Sequence, residues 1–220
     1  VDRLRQNLLL FDVVRLDHFR GFSAFWEVPS KYKTAKKGRW TKAPGSAFFR
    51  RVKQVFPEMP FIAEDLGTLD QDVYDLVDEF NFPGMKVLQF AFGDLMAENP
   101  YIPYNHTSNG LVYTGTHDND TTRGWFQKLR RLERKNLKDY TQHQVNSRNA
   151  HRVLHRMALN SVAKLAIIPL QDILGLGSSA KMNIPGTTKG NWGWRITSEE
   201  IPWERALELR QLNSLYGRVD

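Results

Sequence analysis

The sequence predicts an α/β fold built around a parallel β-sheet. Short, almost wholly apolar segments, which are typical of strands covered on both faces, alternate with segments of helical periodicity. Three of the predicted strand ends carry an acidic residue. In parallel α/β folds the functional groups collect at the carboxyl ends of the strands. These observations predict the fold class and the edge of the sheet where a functional site lies.

The elements follow one another in the order that such a fold requires. Strands are predicted over residues 13–17, 61–64, 85–92, 111–114 and 165–170. Helices are predicted near residues 4–9, over 47–56, over 73–80, in the basic stretch from 128, before Lys164, and over about 203–212. Pro57 ends the second of these helices, and Thr68 and Gln71 have the spacing of a capping box before the third.

The composition is that of an ordinary globular protein. The 220 residues are 41% hydrophobic and 25% charged, which argues against a disordered chain. No apolar run approaches the roughly 18–20 residues of a membrane span, and the first residues do not resemble a signal peptide. The absence of cysteine excludes disulfides and thiolate metal sites, and it weakly favours a cytoplasmic setting.

The net charge of +7 is the one observation that favours a nucleic-acid partner. The basic residues concentrate at 31–42 and 128–156. The second segment carries leucines at helical spacing, so we interpret its charges as a solvated helix face. The first lies in a predicted loop insertion at about 27–46, which is either a substrate-contacting loop or a mobile surface loop. We therefore predict no nucleic-acid partner.

The end of the first predicted strand carries two opposite charges. With a period of two, Val13, Arg15 and Asp17 share one face, while Val14 and Leu16 face a core. A guanidinium two residues before a carboxylate can hold it ionised and fixed, as a nucleophilic carboxylate requires. A surface ion pair at a strand end is an equally good interpretation of this segment alone.

Two further strand ends carry acids. Glu64 follows the apolar run 61–63, and His117 and Asp118 follow the strand predicted at 111–114. Partial burial of Glu64 would raise its pKa and keep it protonated, whereas Arg15 would keep Asp17 ionised. Two carboxyls with different pKa values are the requirement of retaining glycoside chemistry. The three acids together favour that chemistry more than any one of them does.

Other residues fit a sugar site. Asp118 could bind sugar hydroxyls and stabilise positive charge on the ring, and His117 could donate to a neighbouring hydroxyl. A structural loop histidine is the favoured interpretation of His117 taken alone. Tryptophans that fall in or near predicted loops could stack on pyranose rings, although packing is favoured for any single one: Trp26, Trp40, Trp125, Trp192 and Trp194.

Four segments carry a family resemblance. They are RLDHFRG at 15–21, IAEDLG at 62–67, YTGTHDNDT at 113–121 and the loop at 183–195. In sequence and in order they resemble the signature segments of the amylomaltases, the 4-α-glucanotransferases or disproportionating enzymes of glycoside hydrolase family 77. A remoter likeness to the α-amylases rests on the same three acids.

The resemblance implies a (β/α)8 barrel that transfers an α-1,4-glucan segment to a sugar 4-hydroxyl, without a required metal or organic cofactor. It implies Asp17 as nucleophile, Glu64 as acid/base and Asp118 as transition-state stabiliser. The implied substrates are maltooligosaccharides and starch- or glycogen-derived glucans, with no nucleic-acid or membrane partner. The predicted substrate-binding residues are Arg15, His117, Asn119 and Trp192.

The five predicted strands are too few for an eight-stranded barrel and would leave two exposed edges. We therefore expect 1–220 to be a single catalytic-barrel fragment that holds the later strands, with the N-terminal strand–helix units missing. We expect the chain alone to be weakly active or inactive. A bacterial cytoplasm is the predicted location, and a plastid is the alternative if a transit peptide has been lost.

Two alternative functions stay open. A related hydrolase of the amylase clan would use the same acids, and it differs in whether water or a sugar hydroxyl resolves the intermediate. The loop at 183–195 favours the transferase. A catalytically inactive glucan-binding fragment is favoured by the missing strands.

Overall fold

A computed structural model describes residues 1–219 of the chain with their side chains. The chain divides into two compact units, Val1–Met85 (unit 1) and Lys86–Asp220 (unit 2). Each unit contains its own cluster of buried apolar residues. In each of them a pair of parallel strands is accompanied by helices, which confirms the predicted α/β class.

The strands and helices of residues 1–219 alternate along much of the chain. The strands are β1 (Val14–Leu16), β2 (Ala24–Glu27), β3 (Arg39–Lys42), β4 (Phe61–Ala63), β5 (Gly84–Val87), β6 (Gly110–Tyr113) and β7 (Leu165–Ile167). The α-helices are α1 (Asp2–Leu8), α2 (Arg20–Ser23), α3 (Gly45–Val55), α4 (Gln71–Glu79), α5 (Thr122–Lys128), α6 (Arg131–Thr141), α7 (Ala150–Leu159), α8 (Leu170–Ile173) and α9 (Trp203–Leu215). Across this described range, no helix combines the length and apolarity that a membrane crossing needs.

Strands β1 and β4 of unit 1 pair in parallel. The register sets Leu16 opposite Ala63, so the residues that follow, Asp17 and Glu64, leave adjacent strands at the same end. Leu16, Phe61 and Ala63 of this pair belong to one buried apolar cluster with side chains of the helices, among them Phe49 of α3. The first strand therefore forms where the period-two pattern predicts it.

An antiparallel hairpin, β2–β3, lies where the sequence predicts a loop insertion. Trp26 stands opposite Trp40, and the two ring centroids are 5.5 Å apart. The indole N–H of Trp26 also donates to the carbonyl of Ala35 at 2.8 Å. The two tryptophans, predicted in or near loops, lie on strands that flank one, because cross-strand ring packing organises a segment whose lysine-rich composition is typical of loops.

Three boundaries and one cap also differ from prediction. The strand predicted over 85–92 ends at Val87, where a 3-10 turn begins, and the helix predicted to run to about Lys164 ends at Leu159. The strand predicted over 165–170 ends at Ile167, and helix α8 begins within the predicted range. Helix α4 begins directly after Asp70 rather than at a capping box built on Thr68. The tertiary contacts of these segments override their local sequence signals.

Phe49 is the centre of an aromatic cluster in unit 1. Its side chain is fully buried on α3. Five other phenylalanine rings lie with their centroids 4.9–5.5 Å from its ring: Phe19, Phe22, Phe48, Phe80 and Phe82. Such offset and edge-on pairs contribute beyond their buried area.

We expect Phe49→Ala to destabilise the protein by about 3–5 kcal/mol, because it leaves a cavity that five rings cannot easily refill. Urea unfolding followed by circular dichroism measures the effect. The matched control is Tyr74→Ala on α4, whose aromatic side chain is 40% exposed, and we expect a much smaller loss there. Equal losses in the two variants would contradict the central position of Phe49.

Strands β5, β6 and β7 form a sheet in that order, and in unit 2 β6 runs parallel to β7 with Val112 opposite Ala166. The basic helix α6 buries Leu137 and exposes most of its charged residues, as the solvated-face interpretation predicts. Helix α7 supplies several members of the buried cluster, including Leu154 and Ala158.

Two histidines of α7 are buried in unit 2. Their rings lie 5.7 Å apart, and His151 Nδ1 and His155 Nε2 have no hydrogen-bond partner among the described residues. Burial lowers the pKa of His151 to about 4 and that of His155 to about 3, and Arg152 acts in the same direction on both. Both rings are therefore neutral in the folded protein at neutral pH.

This burial predicts a loss of stability in acid. Between the ordinary histidine pKa of 6.5 and the folded values, the unfolded chain binds more protons, so the free energy of unfolding falls as the pH drops through that window. We expect His151→Gln to flatten the dependence, and His143→Gln, at an exposed position, to leave it unchanged. Urea unfolding at several pH values between 7 and 4 checks this, and a slope unaltered by His151→Gln would refute it.

Candidate active site

The ends of β1 and β4 place two carboxylates next to each other in unit 1. The backbone ladder continues past the strands: Glu64 N–H donates to the Leu16 carbonyl at 3.0 Å, and Phe19 N–H donates to the Glu64 carbonyl at 3.1 Å. Asp17 and Glu64 are thus held as neighbours by main-chain hydrogen bonds. This is the arrangement that the strand-end pattern predicts.

The Glu64 carboxylate is half-buried and is held by backbone donors. It accepts from the N–H of His18 at 2.7 Å and from the N–H of Leu66 at 3.3 Å. Burial raises the pKa of Glu64, and the Asp17 carboxylate acts in the same direction, against the two backbone donors and Arg15. The net direction is upward, as predicted, so this carboxyl keeps its proton to a higher pH than an exposed glutamate does.

Asp17 has a different environment. Its side chain is 77% exposed, and its Oδ1 accepts from the Arg15 guanidinium at 2.8 Å. The next residue, His18, has a φ of +47°, and this turn directs its N–H toward Glu64. The exposed Asp17 carboxylate is fixed in orientation and accessible to an incoming molecule.

Asp118 lies in unit 2, in the loop between β6 and α5. Its Oδ1 accepts from the side-chain amide of Asn183 at 2.5 Å and lies 3.4 Å from Nε2 of His117. The N–H of Asn183 donates to the carbonyl of His117 at 3.1 Å. The segment after α8 is therefore bonded both to the backbone and to the carboxylate of this loop.

Trp192 completes this part of unit 2. Its ring lies 5.1 Å from the His117 ring, and 53% of the residue is exposed. Its φ of +59° is unusual for a bulky residue, and its backbone N–H donates to the carbonyl of Met182 at 2.7 Å. Backbone strain of this kind is found at binding and catalytic sites more than elsewhere. His117, Asp118 and Trp192 are therefore brought together, with an imidazole, a carboxylate and an indole open to solvent.

The side chain of Asn119 is hydrogen-bonded within the same loop. Its side-chain carbonyl accepts from both the N–H and the hydroxyl of Thr116, at 2.9 and 2.8 Å. With His117 and residues of the α8 region it lines a cavity of about 120 Å³. A substrate contact by Asn119 would therefore fall to its amide nitrogen.

Trp125 has a packing role. It lies on α5, packs against the buried cluster of unit 2 and donates its indole N–H to the carbonyl of Gln89 at 3.1 Å. It was predicted in or near a loop and lies on a helix that follows one, whereas Trp192 and Trp194 do lie in the 183–195 loop.

Sequence reasoning did not identify Asp172, which is 1% exposed on α8 and bonds to both ends of the loop that carries Asp118. The available signal was a carboxylate within an otherwise uncharged stretch that follows a predicted strand. Within residues 1–219, no group of three His, Asp or Glu side chains is placed to hold a metal ion.

Comparison with known proteins gives consistent matches. The sequence model of the 4-alpha-glucanotransferase family matches residues 1–200. The chain is 49% identical over 220 residues to a 4-alpha-glucanotransferase of Synechocystis sp., covering 99% of this chain and 43% of the relative. It is 47% identical over 225 residues to that of Thermus thermophilus, covering 100% of this chain and 45% of the relative. The potato chloroplastic/amyloplastic 4-alpha-glucanotransferase is 48% identical over 222 residues, covering 100% of this chain and 38% of the relative.

The chain therefore spans less than half the length of these curated relatives. Among solved structures, amylomaltase from Streptococcus agalactiae in complex with acarbose matches with a TM-score of 0.94 and 34% identity. The match covers 99% of this chain and 44% of that one, so the fold is a partial (β/α)8 barrel, as predicted. Because the family model matches nearly the whole sequence and close relatives share its name, the chain belongs to the 4-alpha-glucanotransferase family, glycoside hydrolase family 77.

Proposed function

We propose that the protein containing this chain transfers α-1,4-glucan segments between maltooligosaccharides by a retaining double displacement. The observation that carries the proposal is the pair Asp17 and Glu64, adjacent in position and different in environment. Retaining enzymes use two carboxyls about 5–5.5 Å apart. The backbones of neighbouring strands lie about 4.8 Å apart, which is close enough for two carboxyls at adjacent strand ends to reach the spacing of the retaining class.

Each carboxyl has a distinct role in the proposed reaction. Asp17 attacks the anomeric carbon and forms a covalent glycosyl-enzyme, while Glu64 gives its proton to the departing glycosidic oxygen. Glu64, now a carboxylate, then takes the proton of an acceptor 4-hydroxyl, and that oxygen displaces Asp17 from the sugar. The upward pKa shift of Glu64 suits the first step, because the acid has to be protonated there.

The remaining groups bind and orient the sugar. We assign Asp118 to stabilising positive charge on the ring in the transition state, and Arg15 to orienting the nucleophile through their 2.8 Å bond. His117 donates to a sugar hydroxyl, and the exposed Trp192 ring stacks on a pyranose face. Asn119 donates a hydrogen bond to the sugar from its side-chain amide nitrogen. The Streptococcus agalactiae relative is a complex with acarbose, which supports an oligosaccharide ligand.

The relatives also bear on location. They include proteins of bacteria and a chloroplastic/amyloplastic protein of potato. We propose a bacterial cytoplasm for this protein, with a plastid as the alternative.

Incubation with maltotriose tests the proposed activity. Two proteins are compared: the 220-residue chain, and the completed enzyme, meaning this chain joined to the part of the Synechocystis relative that it does not span. We expect the completed enzyme to give glucose and a ladder of longer maltooligosaccharides, and the chain alone to give little. Glucose and maltose without longer products would indicate a hydrolase. Unchanged maltotriose with folded protein would indicate a binding function and overturn the proposal.

A further inference from the structure

The buried side chain of Asp172 accepts three hydrogen bonds. Its Oδ2 accepts from the hydroxyl of Thr114 at 2.7 Å and from the hydroxyl of Thr122 at 2.6 Å. Its Oδ1 accepts from the N–H of Thr122 at 2.7 Å. Only 1% of the residue is exposed, so these groups replace the water that the carboxylate has lost.

The two threonines stand at the two ends of one loop. Thr114 directly follows β6, and Thr122 is the first residue of α5. His117 and Asp118 lie between them, with their side chains 38% and 49% exposed. A single carboxylate therefore joins the end of the strand to the start of the helix, across the base of the loop that presents these two residues.

The interior of the loop is bonded to itself, to its flanks and to the Asn183 segment described above. Asn119 closes a turn onto Thr116, and Asp120 accepts from the Ser178 hydroxyl at 2.8 Å and pairs with Lys128. These bonds fix the inner turn and the position of Asp120. The bonds of Asp172, in contrast, join the two ends of the loop to each other.

Asp172 is costly to bury, which argues for a specific role. Burial raises its pKa, the Thr122 and Thr114 hydrogen bonds oppose the rise, and the nearby Asp120 adds to it. A buried carboxyl is tolerated where its donors are fully arranged around it, and removing it leaves three buried donors without their acceptor.

We propose that Asp172 is a positioning residue, which holds His117 and Asp118 in their working orientation by joining both ends of their loop. The inference rests on the proposed function for its effect on the reaction. It does not rest on that function for its effect on the loop.

Kinetics of the completed enzyme with maltotriose test the effect on the reaction. We expect Asp172→Ala to lower kcat about 100-fold, the loss that an error of about 1 Å in a reacting group can cause. We expect KM to change much less. Asp172→Asn should restore most of kcat, because its carbonyl still accepts from the Thr122 N–H and the two hydroxyls can rotate to accept from its amide.

The matched control is Ser161→Ala. It removes two other buried hydrogen bonds of unit 2, the 2.7 Å contact with His106 and the 3.1 Å contact with the N–H of Ala163, both outside the 114–122 loop. We expect a loss of stability with kcat unchanged. Equal losses of kcat in Ser161→Ala and Asp172→Ala would show a general packing effect and overturn the proposal.

A double-mutant cycle identifies the residue through which Asp172 acts. If it acts through Asp118, then Asp118→Asn combined with Asp172→Ala should lower kcat no further than Asp118→Asn alone. If the double variant lost kcat by the product of the two single losses, the proposal that Asp172 acts through Asp118 would be wrong.

Hydrogen exchange provides a readout that needs no activity. In Asp172→Ala we expect faster amide exchange in a peptide covering 114–122, and in Ser161→Ala we expect no change there. Unchanged exchange in Asp172→Ala would overturn the proposal even if transfer is observed. Faster exchange in a protein without transferase activity would keep the loop assignment and refute the proposed function instead. If Asp172→Ala does not fold, Thr114→Val, which removes one of the three donors, replaces it with the same expected outcomes.

Discussion

Replacing Asp17 by asparagine is expected to abolish glucan transfer and to leave the fold intact. An amide oxygen does not form the glycosyl-enzyme, so the first displacement is lost. Removing the nucleophile of a covalent mechanism typically lowers kcat by at least about 10⁴-fold. The fold should tolerate the change, because the side chain is 77% exposed and its bond to Arg15 lies at the surface of unit 1.

The measurement is the rate of maltotriose disproportionation by the completed enzyme, together with its circular dichroism. Asp12→Asn is the matched control, since Asp12 is an exposed aspartate that precedes β1 in the same unit. We expect it to retain full activity. A variant with asparagine at position 17 that keeps transferring glucan would exclude Asp17 as the nucleophile, and a glucan-binding function would then need reconsideration.

Replacing Glu64 by glutamine is expected to separate the two halves of the reaction. Loss of a general acid lowers the rate about 10²–10⁴-fold when the leaving group needs a proton, as in maltotriose. α-Maltosyl fluoride has a leaving group that needs none, so glycosylation of Asp17 should stay fast. The second step lacks its base, so we expect a burst of about one fluoride per enzyme, followed by slow turnover. Added azide, a nucleophile that needs no base, should restore turnover.

The pH dependence of the wild type gives a second test of the same residue. The acid has to be protonated for the first step, so kcat/KM for maltotriose should fall as the pH rises through the pKa of Glu64. Burial raises that pKa, so the fall should occur at a higher pH than for an exposed glutamate. This fall at high pH should be absent when fluoride release by the Glu64→Gln variant is measured. Glu58→Gln, at an exposed position shortly before β4, should leave the pH dependence of the wild type on maltotriose unchanged. Equal losses of Glu64→Gln on maltotriose and on the fluoride would contradict the acid role.

The features that could be predicted from the sequence are those that depend on residues close together in the chain. Arg15 and Asp17 are two residues apart on a strand, so the period-two pattern was sufficient to predict their pairing. The apolar run before Glu64 likewise predicted its partial burial and the direction of its pKa shift. The ends of β1 and β4 were recognisable because an acid directly follows each strand.

The features that could not be predicted depend on distant partners. Asp172 bonds to Thr114, which lies 58 residues earlier, so no local pattern marks the contact. The β2–β3 hairpin joins Trp26 to Trp40 across a segment with no short turn signal, and such a pairing is weakly encoded in any single stretch. The neighbour relation of Asp17 and Glu64 was expected from the fold class, but its register required the structure.

The side chain of Glu64 is held by main-chain N–H groups of residues 18 and 66. Every residue except proline supplies the same main-chain donor, so substitutions at these two positions that keep the path of the backbone should leave both hydrogen bonds in place. At position 18 that path includes a φ of +47°, which restricts the residues that it accepts. An engineer who wishes to move the working pH of such a protein should alter how deeply Glu64 is covered, or the charge beside it, rather than its hydrogen-bond donors.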